Sequence, residues 1–100
     1  MKIELFSVKD TLVGFSQPFA AMSDAVALRQ FIATVQSPKP NFCNTFPEQK
    51  ELYYIGCFDD ATGKITTSDE LPRFLANASA YVLSAEQTKN LDKEEKKDDV

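Results

Sequence analysis

The chain has no histidine and no tryptophan among its 100 residues, only three glycines, and only two cysteines. Without histidine, the Ser-His and Cys-His nucleophile pairs cannot be built within one copy. Two thiols alone also fall short of the four soft ligands of a structural zinc site. Gly14, Gly56 and Gly63 are scattered, so no glycine-rich loop is present to cradle a phosphate. The chain is therefore expected not to be an enzyme and to need no metal or cofactor. No apolar run approaches the ~18 residues of a membrane-spanning helix. Lys2, Glu4, Lys9 and Asp10 interrupt the first residues, so no signal peptide and no membrane association are expected. A reducing cytosol with free thiols follows from that reading. Cys57, inside an apolar strand pattern, is expected to be buried and inert, a Cys43–Cys57 disulfide being the alternative.

A basic excess is missing as well. Residues 1–85 carry nine acids and seven bases, and residues 86–100 six acids and four bases, for a net charge of −4. Lysine and arginine neutralising phosphates dominate nucleic-acid affinity, so this balance argues against tight non-specific DNA binding by one copy. What the chain does have is apolar mass: 43% hydrophobic residues, with eight Phe and three Tyr. That suffices for one small globular core over residues 1–85. Residues 86–100, nearly all charged or polar, are expected to form a charged tail outside it. A domain of this size buries only about 60–65% of its unfolded surface, which favours pairing with a second copy.

Lys2–Lys9 reads as a strand with apolar residues on both faces, and Leu12–Phe19 as a second strand ending at Pro18, antiparallel to the first. Ser23 is a natural helix N-cap and Asp24 complements the dipole. Leu28, Phe31, Ile32 and Val35 then form one apolar stripe, and Ser37-Pro38-Lys39-Pro40 stops the helix. Pro38–Gln49 is a loop whose Phe42 and Phe46 either tuck back onto the core or form a contact surface. Glu51–Phe58 reads as a central strand with Leu52, Tyr54 and Phe58 on one face and Tyr53, Ile55 and Cys57 on the other. Asp59-Asp60-Ala61-Thr62-Gly63 is a hairpin turn into a short strand, Lys64–Thr67, with turn-capping by the two Asp residues favoured over ion binding. Phe74, Leu75, Ala78, Tyr81 and Val82 have helical spacing, which predicts a short C-terminal helix over the sheet face that the first helix leaves bare. The fold class is thus α+β: a small single domain, with an antiparallel sheet of about four strands and one main helix.

Aromatics interleaved with bases mark the candidate contact residues: Phe42, Phe46, Tyr53 and Tyr54, with Lys39, Lys50, Lys64 and Arg73 near them in sequence. Such a set suits stacking on single-stranded DNA. The competing reading is that the strand aromatics are core and the lysines merely solvated.

Pro18-Phe19 followed by Ser23–Phe31, and Leu52–Ile65 with its Asp-Asp-Ala-Thr-Gly turn, resemble in order and spacing the small nonstructural protein of gokushoviruses, single-stranded DNA phages of the microvirus group. The resemblance runs from about Met1 to Asp69 and contains no catalytic signature. It implies a non-virion product of the infected bacterium that acts, in the host cytoplasm, where viral replication switches to single-strand synthesis and packaging. The implied partners are viral replication or procapsid proteins, or single-stranded DNA, with a homo-oligomer as a further expectation. A single-stranded DNA-binding protein and an inhibitor of a host protein are the alternatives.

Overall fold

The computed structural model describes residues 1–83, so the expected tail from Glu86 lies outside the described residues. Its backbone is a long antiparallel pair. Strand β1 (Lys2–Asp10) runs beside β4 (Lys50–Asp59) along its whole length, from Lys2 opposite Asp59 to Asp10 opposite Lys50. The short strands β2 (Gly14–Phe15) and β3 (Phe19–Ala21) share the free edge of β1, interrupted by Pro18, which has no amide for a ladder. The free edge of β4 takes β5 (Ile65–Thr66) and β6 (Arg73–Asn77). Six strands therefore make a sheet four positions wide. The expected single second strand is really two pieces, with Leu12 and Val13 exposed in the turn before them.

Helix α1 (Asp24–Val35) starts where Ser23 Oγ accepts from the Val26 amide. It lays Ala27, Phe31 and Val35 against Phe6, Val8, Leu52 and Ala76, with Leu28 at the margin. Each large apolar side chain buried there stabilises by about 2 kcal/mol. Phe31 and Val35 of the predicted stripe are buried as expected, but at its start Ala27 is fully buried and Leu28 only partly.

Three expectations change. The C-terminal residues form β6 and then a 3-10 turn (Ala78–Tyr81), not a helix. The open edge of β4 offers unpaired backbone groups, and segment 73–77 takes them, Leu75 bulging out between the Leu52–Ala76 and Tyr53–Phe74 pairs. A second bulge in β4 leaves Ile55 unpaired, since Phe6 faces Tyr54 while Leu5 faces Gly56. Alternation consequently reverses: Cys57, opposite Glu4, joins the helix side, and Phe58, opposite Ile3, goes to the far side. Finally, both thiols are free as expected, but it is Cys43 that is buried, while Cys57 is only half-buried. The hairpin turn forms as expected, with Gly63 at φ +74° and its amide on the Asp59 carbonyl at 2.7 Å.

The fold has one consequence for function. Among the described residues there is no second helix, and none lies on the sheet face opposite α1.

Candidate functional site

Two surfaces show aromatic rings to solvent. The first is the loop from Pro38 to Gln49. Asn41 and Asn44 organise it: Asn41 Oδ1 accepts from the amides of Cys43 (2.9 Å) and Asn44 (3.0 Å), while Asn41 Nδ2 donates to the Thr34 carbonyl at 2.8 Å. Asn44 Oδ1 accepts in return from the Asn41 amide at 2.8 Å, and its Nδ2 donates to the Lys39 carbonyl at 2.9 Å. Lys50 closes the loop from below. Its ammonium, on a side chain only 4% exposed, donates to the Thr45 carbonyl at 2.7 Å and lies 3.1 Å from Asp10 Oδ2 and 4.9 Å from the Phe42 ring centre. Paired this way, the Asp10 carboxyl is held below its usual value, first by the Leu12 amide and then by Lys50.

This scaffold turns two rings outward. Phe46 sits in the left-handed region at φ +52°, and 65% of it is exposed; Phe42 is half exposed. A non-glycine residue in that region is costly and needs its surroundings to hold it there. Cys43, between them, is the residue that tucks in, and burial pushes its thiol up, away from reactivity. Of the two outcomes open for these aromatics, Phe46 projects into solvent, while Phe42 is half tucked, against the Lys50 ammonium and beside Phe31 and Cys43. Beside Phe42, an open cleft of about 250 Å³ runs along α1, walled by Phe19, Phe31, Phe42 and Cys43.

The second surface is the helix-free face of the sheet. Cross-strand pairing places Lys9, Phe15, Tyr53 and Phe74 on it. The rings pack edge to face, Phe15 to Tyr53 at 5.4 Å and Tyr53 to Phe74 at 5.7 Å. The Lys9 ammonium stands 5.5 Å from the Phe15 ring and 6.0 Å from that of Tyr53. Tyr53 donates its hydroxyl to Glu51 Oε1 at 3.1 Å, and its own deprotonation is pushed up by burial and that bond. Farther along the same face lie Ile3, Leu5, Phe58 and the exposed Ile65.

The predicted contact residues do not converge. Lys50 is a buried structural cation, not a surface contact. Lys39 is exposed at the C-terminal end of α1; Arg73 lies at the other end, bound to Asp24 at 3.0 Å and stacked 5.0 Å over Tyr54. A twelve-residue helix separates those ends by about 18 Å. Lys64 stands apart in the hairpin beyond β4. Phe42 and Phe46 share the 38–49 loop with Lys39 and with the buried Lys50 against Phe42, and Tyr53 belongs to the other surface. Reading by residue type missed Lys9, Phe15 and Phe74. The alternation of β1, with Ile3, Leu5 and Lys9 opposite Phe6 and Val8, was the signal for a second apolar face. Phe74 carried no signal of its own because its segment also fits a helix. Asp59 Oδ1 caps its turn by accepting from the Ala61 amide at 2.9 Å, and Asp60 Oδ1 lies 2.7 Å from the Met1 amino group.

Among the described residues no helix is long and apolar enough to cross a membrane. Neither a curated protein nor a solved structure matches the chain. The family described as phage ORF5 protein matches over residues 3–81, covering both aromatic surfaces, and the chain belongs to that family.

Proposed function

We propose that this phage protein is a non-enzymatic, non-virion regulator that acts through protein contacts in the switch to viral single-strand DNA synthesis and packaging. The setting comes from the resemblance to the gokushovirus nonstructural protein; the mode of action is read from the surface. The observation that carries it is the 38–49 loop, whose hydrogen bonds hold Phe42 and Phe46 outward beside an apolar cleft. A pre-ordered aromatic display lowers the entropy lost on docking, and buried aromatic anchors dominate protein interfaces. The partner is a viral replication or procapsid protein in the host cytoplasm. The test is capture from infected bacteria with the full chain as bait. Wild-type bait should recover a phage protein, and Phe46→Ser should weaken that recovery by about tenfold. Capture of no phage protein, or capture indifferent to Phe46→Ser, would refute the reading.

Single-stranded DNA binding has one observation in its favour, the row Phe15–Tyr53–Phe74 with Lys9 among the rings. Stacking on such a row contributes about 1–3 kcal/mol per base. Against it stand nine acids to seven bases over residues 1–85. Titration of a labelled oligonucleotide at two salt concentrations separates the readings: binding that collapses with salt and with Lys9→Gln would support DNA, and silence at low salt excludes it.

A further inference from the structure

We propose that the helix-free face of the sheet is the seat of a second copy of this chain, forming a two-fold dimer in which the two sheets pack face to face. The area is right. Phe15, Phe74 and Ile65 are 47%, 52% and 65% exposed, and with the half-buried Leu5, Tyr53 and Phe58 they offer of the order of 400 Å² of apolar surface. A standard interface uses about 800 Å² per partner, a little over half of it apolar, so this face supplies that apolar share.

Charge selects the occupant. Lys9 and Glu51 are direct cross-strand partners on the two central strands, one on β1 and one on β4. A two-fold axis running along the strands between β1 and β4 lays each β1 over the partner's β4. Lys9 then meets the partner's Glu51, and Glu51 the partner's Lys9. The same operation sets the edge carrying Phe15 against the edge carrying the partner's Phe74. The face is thus complementary to itself in charge and in the placement of its rings, as a two-fold interface requires. A strand of phosphates would meet the Glu51 carboxylate as readily as the Lys9 ammonium. Two aligned sheets about 10 Å apart also complete the layering that a sheet covered on one side lacks. The 38–49 loops lie outside this face, so the dimer carries two copies of the aromatic display.

Sedimentation velocity of the full chain over a concentration series tests this. The wild type should show a monomer–dimer equilibrium, and Phe74→Asp should raise its dissociation constant by about tenfold or more. A charge exchange keeps the test independent of folding damage. Lys9→Glu and Glu51→Lys should each dimerise poorly alone, yet form a mixed dimer when combined, seen by native mass spectrometry. A wild type that stays monomeric up to its solubility limit overturns the proposal, and so does a dimer indifferent to both Phe74→Asp and the charge changes. Phe46→Ser should leave the dimer unchanged, so failure here is distinct from failure of the loop's role.

Discussion

Lys50 shows how burial redefines a residue that sequence alone reads as a free cation. Its charge is matched by Asp10, its hydrogen bond goes to the Thr45 carbonyl, and its stem fills space under Phe42. Lys50→Ala should cost about 2–4 kcal/mol in urea unfolding, through the emptied volume and the unpartnered carbonyl. Lys39→Ala, on the exposed side of the same loop, should change stability by less than about 0.5 kcal/mol. Asp10 adds a pH signature. Its folded pKa lies below the usual 3.8, so its contribution is fully present above that value and is lost as pH falls through the depressed one. Asp10→Asn should therefore be less stable than wild type at neutral pH, and the gap should narrow in acid; a constant gap from neutral pH to pH ~2 would refute the assignment.

Among the elements, β4 is the organiser, since it pairs with β1, β5 and β6 and carries the bulge that sends Phe58 to the helix-free face. Gly56 makes that bulge workable. Its φ is +156°, and a Cβ there would meet the Thr66 carbonyl oxygen at 2.7 Å, a backbone atom with little room to yield. Gly56→Ala should destabilise by about 1–3 kcal/mol in thermal or urea unfolding, and full stability in that variant would show that the β4–β5 ladder gives way easily. For α1, Ser23→Ala removes the acceptor for the Val26 amide and should cost about 1 kcal/mol by the same measurement.

On the scale of the whole molecule, the described residues put one helix on one side of a four-position sheet, and the other side is the face proposed to seat a second copy. A second copy on that side makes stability depend on concentration by mass action. The melting temperature should rise with protein concentration in the wild type and become flat in Phe74→Asp. A wild-type melting temperature independent of concentration would count against the dimer.

The sequence by itself determined whatever depends on near neighbours along the chain: the Ser23 cap, the proline stop at Pro38, the Asp59–Gly63 turn, and the two long strands around Phe6 and Leu52. It also exposed Phe42 and Phe46 as residues in need of an explanation, leaving open whether they tuck or project. Only the tertiary structure decided the rest. The segment from Arg73 to Asn77 fits a helix or a strand locally and became a strand because the edge of β4 had backbone groups to pair. Lys50 became structural because Asp10, forty residues earlier, is its cross-strand neighbour. Phe15, Tyr53 and Phe74 form one surface because bulges and register, which depend on pairing between distant segments, decide which face each ring occupies.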